Sequence, residues 1–443
     1  MAISQRRQST RGRAVMGAWL AKYFLPVLLV ALICGLTPLY AEDSAPQKSS
    51  PGFPNQQYLF GDWGGTRTRL AEEKGVKFDF FYVSDLLANP KGGKEGATGW
   101  ERIRGTMDID FAKLIHVNGL SFHVTGLWQC GVNLGSTYLG SIANPSGITS
   151  AHTSRLDSFW VQQALFKDKL TIRAGQFAGM DFYGVQQYGG NYIMEPLDYA
   201  FGNLFTDYES FDPASGPAAD IKIAPIRQVY YRAGVVSGNH NPYGQDDNGF
   251  HFTAKNKGVF VNELGFLLDQ PGGKTPKDKY YPGEYKIGAT YNPDYFLNPV
   301  TNLWNHSNHL IYFMANQAVY RPVANSNQGL DVHFGMDFAP TDLNKINRQA
   351  TGGVIYTGLI PKRPKDAVAF GFVVSQVSDT FNTSYQLLGQ PTLGSEKAYE
   401  INYLAQLTPW LIWQPVVQIY SDLGANSKNP NGVVAGFRTK VTF

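Results

Sequence analysis

From about residue 76 onward the chain keeps returning to one pattern: short runs in which apolar and polar side chains take turns, separated by turn residues. In 102–111, Arg102, Arg104, Thr106, Asp108 and Asp110 share one parity, while Ile103, Met107, Ile109 and Phe111 share the other. Residues 76–80 and 120–125 separate in the same way. Successive side chains of a strand point to opposite faces, so each run has one face for an apolar medium and one for water. No stretch after residue 41 reaches 18 consecutive apolar residues, the length a membrane helix needs. If such a chain enters a bilayer it must do so as a closed barrel, because only helices and barrels satisfy every backbone group in lipid.

The alternation predicts strands at 76–87, 102–114, 119–130, 154–166, 170–177, 217–225, 228–237 and 258–268. The second half gives 284–294, 309–320, 329–339, 350–360, 366–377, 396–408, 411–421 and 432–443. This is an all-β fold, a transmembrane antiparallel barrel of about 16 strands, an even number of the kind single-chain bacterial barrels use. Asn118-Gly119 supplies the positive φ that a tight hairpin demands. Short connections such as Lys167-Asp168-Lys169 and Pro409-Trp410 alternate with long ones at 131–153, 178–216 and 238–257. Barrels of this type turn tightly on the periplasmic side and loop widely outside. The connection at 269–283 is long for its side. In the last run Ala435, Phe437, Thr439, Val441 and Phe443 share a face, and an apolar-faced run ending in Phe looks like the recognition segment of outer-membrane barrels.

The first 41 residues read as an export signal, cleaved after Ala41: a basic start (Arg6, Arg7, Arg11, Arg13, Lys22) is followed by an apolar stretch. These five bases, with no acid among them, turn a formal charge of +3 into −2 for the remainder, which removes the case for a nucleic-acid partner. Only Cys130 of the two cysteines then remains, so neither an internal disulfide nor a cysteine metal site is expected. The expected organisation is a signal peptide at 1–41, a periplasmic segment with a short helix at 42–75, and the barrel at 76–443. Asp62 can cap the helix and Gly75 can take the left-handed position after it.

Several blocks resemble the OprB family of carbohydrate-selective porins. They are Gly61-Asp62-Trp63-Gly64-Gly65-Thr66-Arg67-Thr68-Arg69-Leu70, Leu170-Thr171-Ile172-Arg173-Ala174-Gly175-Gln176-Phe177, Ala315-Asn316-Gln317-Ala318-Val319-Tyr320-Arg321-Pro322 and Gly358-Leu359-Ile360-Pro361. The resemblance runs from about residue 58 to the end, departing between Gln414 and Gly432, where Gln414-Pro415-Val416-Val417-Gln418 and an inserted stretch replace the family's more regular pattern. It implies a bacterial outer-membrane channel for passive diffusion of small sugars such as glucose. Its partners would be carbohydrates and outer-membrane lipid, with no cofactor, and the chain would act as a monomer or homotrimer.

Parity nominates the channel lining: Arg102, Arg104, Asp108, Asp110, His123, Trp160, Gln162, Arg173, Glu400, Asn402 and Arg438. Arg102, Arg104, Asp108, Arg173 and Glu400 are expected at the constriction as a ring of mixed sign, with Trp160 as a stacking surface for sugar. Any one of them can equally be ordinary wetted lining. The loop at 178–216, rich in Phe and Tyr, either folds into the mouth or caps it from outside. Three other functions compete: a general diffusion porin, a barrel enzyme and a secreted carbohydrate-binding sandwich. The eight histidines fall in no catalytic motif, and no catalytic or metal-binding residue is assigned.

Overall fold

Sixteen strands pair antiparallel with their sequence neighbours, and the first pairs with the last to close the barrel. They are β1 Val76–Lys91, β2 Gly96–Asp110, β3 Leu120–Gly131, β4 Thr153–Leu165, β5 Leu170–Phe177, β6 Gly216–Ile226, β7 Val229–Ser237 and β8 Gly258–Leu268. Then come β9 Gly283–Leu297, β10 Trp304–Tyr320, β11 Gly329–Phe338, β12 Ile346–Thr357, β13 Ala367–Val377, β14 Ser395–Thr408, β15 Leu411–Ser421 and β16 Gly432–Thr442. The computed structural model describes residues 53, 55–198, 212–238, 248–250, 257–268, 280–324 and 326–443. The expected signal peptide and the loop aromatics Phe201, Phe205, Tyr208 and Phe211 lie outside them.

Exposure follows strand parity and identifies the lipid face. Phe260, Leu264 and Phe266 on β8 are 47%, 47% and 45% exposed, whereas Val259, Val261 and Glu263 between them are 2% exposed or less. Isolated exposed apolar residues are ordinary, but a continuous outward band of them is the surface a bilayer covers. Among the described residues no helix is long and apolar enough to cross a membrane. The crossing elements are strands.

Two local departures from the predicted elements have clear causes. The run expected at 102–114 stops at Asp110, whose carboxylate accepts the N–H of Ala112 at 2.9 Å and caps a helical turn, Phe111–Leu114. A helix, Asp379–Leu387, begins at Ser378, whose hydroxyl accepts the N–H of Phe381; it lies in a connection that alternation leaves blank.

The segment before β1 forms the expected helical turn, Thr66–Arg69, which continues as a π turn to Lys74 and ends at Gly75 with φ 69°. Asp62 receives the N–H of Thr68 at 2.9 Å. Arg67 leaves this turn to reach the barrel seam. Its guanidinium donates to the backbone oxygens of Phe443, at 2.6 Å, and of Phe78, and it lies 3.4 Å from the centroid of the Tyr58 ring. The backbone N–H of Leu59 donates to Thr442 O at 2.9 Å, and the rings of Phe60 and Phe443 stack at 5.4 Å. Higher on the same seam Asp85 faces Arg438 across the β1–β16 pair.

The face assignment predicts opposite responses to one charge. Ile287→Lys, on the outward face of β9 where Ile287 is 43% exposed, should cost about 2–4 kcal/mol if it sits near the bilayer midplane. Thr106→Lys, on the inward face of β2, should cost about 1 kcal/mol or less. Denaturant titration of barrels refolded into lipid vesicles measures both; equal costs would contradict the assignment.

Candidate functional site

The described part of the long connection between β5 and β6 runs into the lumen, held there by wall side chains. Glu400 of β14 is fully buried. Its carboxylate accepts the N–H groups of Ile193, at 2.9 Å, and Met194, at 2.7 Å, and the side-chain amides of Asn402, at 2.7 Å, and Gln418, at 2.9 Å. Glu263 of β8 accepts the N–H of Gly184 at 2.8 Å. The loop carbonyls find donors as well: Asn402 and Gln414 both donate to Asn191 O at 2.9 Å, and Arg438 donates to Tyr192 O at 3.2 Å. Small wall residues make room for this. A Cβ at Gly371 would come within 2.6 Å of Leu197 and 2.8 Å of the Tyr192 ring, so glycine there gives the loop its seat.

The loop between β3 and β4 also turns inward. Ile142 N and Ala143 N donate to Glu396, at 2.9 and 2.8 Å, and Ser146 donates to Asp85 at 2.6 Å. The lumen is therefore narrowed by two inward loops. This favours the mouth-folding alternative over an external cap for residues 178–198.

The predicted lining residues all face the lumen but fall into three groups. The first is an arginine–aspartate cluster. Arg102 donates to Gln129 at 2.8 Å, to Asp212 at 2.5 Å and to Ile148 O at 3.2 Å; Arg104 bonds Asp157 at 3.0 Å and Asp212 as well. Asp212 lies in the loop just before β6. Burial by itself would raise its carboxyl, but Arg102 and Arg104 outweigh that and hold it at about 2. Only 4% of Arg102 is exposed, so within this pair Arg104 is the member open to the channel.

The second group lines β2 to β5 nearer the short-turn end. His123 stacks on Trp160 with centroids 4.7 Å apart and planes 7° from parallel, and its Nδ1 lies 2.7 Å from Asp108. From the β5 side Arg173 lies over the same indole at 4.8 Å and donates to Gln162 at 2.6 Å. Phe182 also meets the indole edge-to-face at 6.1 Å, so three neighbours pack against Trp160, which was expected as a stacking surface for sugar. Asp108, with its side chain 46% exposed, is the open carboxylate of this wall. Asp110 sits at the strand end as a helix cap.

The third group, Glu400, Asn402 and Arg438, is on β14 and β16, across the β1–β16 seam from β2, and is committed to the loop. Arg438 holds Asp85 at 2.8 and 2.9 Å and Asp198 at 3.0 Å. Glu400 was expected with Arg102 and Arg104 at the constriction, yet four donors surround it, and its role in the structure is to anchor the loop.

Sequence reasoning passed over Asp157, Asp212, Arg232, Glu263, Lys222 and Lys286. Strand parity reaches Glu263, Lys222, Arg232 and Lys286, which face inward on β6 to β9. Asp212 stands in an aperiodic loop, where parity has nothing to offer.

A family profile described as carbohydrate-selective porin, OprB family, matches residues 94–443. The chain belongs to this family. Porin B of Pseudomonas aeruginosa is 25% identical to it over 90% of this chain and 94% of its own length. The putative porin QuiX of Acinetobacter baylyi is 23% identical over 88% and 94%. The high-pH structure of Pseudomonas putida OprB superimposes with a TM-score of 0.81 at 20% identity, covering 89% of this chain and all of that one, and so supports the fold. An OprB-family barrel with these inward loops is a porin, a channel of the bacterial outer membrane that selects carbohydrates.

Two outcomes follow for the anchored loop. Glu400→Ala leaves the N–H groups of Ile193 and Met194 without their charged acceptor, a loss of about 1.5–3 kcal/mol per bond, so single-channel current should become larger and noisier; a current identical to wild type would contradict the anchor. The second concerns pH. Burial first, with the Asp198 carboxylate adding to it and an Asn144 hydrogen bond opposing, lifts the loop residue Glu195 from 4.5 to about 7. A carboxyl raised in the folded state keeps its proton there while the unfolded loop releases it. The hold on the loop should be full below about pH 4.5 and weaken as pH rises through about 7. Protease cutting of the loop at pH 5 and pH 8 measures this, and Glu195→Gln should flatten the difference.

Proposed function

We propose that this porin recognises small neutral hexoses, glucose among them, along the β2–β5 wall during passive diffusion. The observation that carries the reading is the column of His123, Trp160 and Arg173, which fixes neighbouring donors and acceptors in one rigid surface. Asp108, Gln162 and Arg104 then offer the hydroxyls of a ring an acceptor, an amide and a charged donor within one stretch of wall. A pre-set array of this kind needs no ordering when solute arrives, and selectivity in a pore comes from its width and its lining groups. Arg102 supports the array from behind through Asp212. On β14 and β16, Glu400, Asn402 and Arg438 set the width by holding the loop.

In this reading residues 1–41 direct export and are removed after Ala41. Residues 42–75 and the short turns face the periplasm, and the long loops face outward, as a monomer or homotrimer in the outer membrane. A general diffusion porin is the competing reading, since a polar lumen alone also passes small hydrophilic solutes.

Planar-bilayer conductance with and without glucose separates the two. Glucose should reduce the current through wild-type channels. Asp108→Asn and Arg104→Gln should each raise the half-blocking concentration about tenfold, the loss of one or two hydrogen bonds at about 1 kcal/mol each. No block by glucose in the wild type would leave the general diffusion porin as the answer.

A further inference from the structure

A second feature lies on the other side of the inward loop. The walls of β6 to β9 and residues 181–187 enclose a cavity of about 370 Å³ that opens to the lumen, within the size range of small-molecule sites. Its carboxylates are already engaged. Glu263 accepts the hydroxyls of Tyr230 and Tyr312, each at 2.7 Å, besides the N–H of Gly184. Glu284 meets the Lys286 ammonium at 3.0 Å, and Asp181 accepts the N–H of Ala178 at 3.2 Å. Two of the cations are engaged too: Arg232 donates to Phe182 O at 3.0 Å and lies 3.4 Å from Asp220, and Lys286 donates to Val185 O at 2.8 Å.

Lys222 differs from these. Among the described residues no carboxylate forms an ion pair with its ammonium, which rests over the Tyr230 ring at 4.7 Å from the centroid. That ring lies flat against the wall because residue 265 is glycine; a Cβ there would come within 2.1 Å of it. An aromatic face is a weaker partner for an ammonium than a carboxylate, and the low local dielectric enlarges the gap. The acceptors in the cavity are committed and one cation is not. What Lys222 lacks is a direct anionic partner, since Glu263, Glu284 and Asp220 act on it only at longer range.

We propose that this cavity is a subsite for a hydroxylated monocarboxylate, a sugar acid rather than a neutral sugar. Its carboxylate sits on Lys222, its hydroxyls turn to Gln187, and Leu267 meets its carbon side. The subsite rests on the reading of the channel as one for sugar-like solutes, but it occupies a different wall from the proposed hexose contacts.

The test uses the full-length channel in planar bilayers at pH 7, with gluconate and glucose as probes added separately. Gluconate should block at a concentration about tenfold lower than glucose, a preference worth about 1.4 kcal/mol. Lys222→Met should bring that preference down to about twofold or less, and Lys222→Arg should retain most of it. Equal block by the two solutes in the wild type, or an unchanged preference in Lys222→Met, overturns the subsite. If gluconate blocks with this Lys222 dependence while glucose does not block at all, the hexose reading fails and the subsite stands.

Discussion

The wall carboxylates that accept loop backbone N–H groups are what the lumen depends on. A loop drawn into a barrel carries amides and carbonyls with no sheet to pair with, and a narrowed channel holds little water to serve them. Glu400, Glu263 and Glu396 meet this need for the amides. Arg438, Asn402, Gln414 and Lys286 meet it for the carbonyls. Bonds to charged partners contribute about 1.5–3 kcal/mol each, so a few of them hold a segment that its own packing would leave free. The inward face of the barrel thus serves two purposes. On some strands it is open lining, and on others it is scaffold.

This division explains how far the sequence could be read. Alternation locates the strands, because a slip of one residue would turn every apolar side chain of a run into the water-filled channel. It also assigns each nominated residue to one parity. Facing, however, says nothing about what a side chain meets. Arg104 and Glu400 have the same inward parity, yet one reaches the channel and the other is enclosed by Ile193, Met194, Asn402 and Gln418. The difference lies in loop residues that have no period. Asp212 joins Arg102 to Arg104 from such a stretch, and the helix Asp379–Leu387 is set by a Ser378 cap inside another. Trp160 illustrates the same limit: its strand position was legible, but not that His123, Arg173 and Phe182 would pack against it.

The charge arrangement follows from the same geometry. Arg102, Arg104, Asp157 and Asp212 form a compact group in which positive and negative members balance, so it shapes the channel without imposing a strong field on it. Other inward charges include the Asp108 carboxylate on β2 and the Lys222 ammonium on β6. A channel that offers an acceptor on one strand and a cation four strands away can sort solutes by where their polar groups lie. It does so without a site tight enough to retain them, as passive flow requires.

The Arg67 contact has a consequence for how such a barrel comes apart. A closed sheet has no free edge, but the junction of its first and last strands is the one place where closure joins residues from opposite ends of the chain. Here one guanidinium, carried by the turn before β1, grips the backbone of both strands at that junction. Lateral opening at the junction would strand a buried cation between two carbonyls and two aromatic rings. The zip is pinned at its slider.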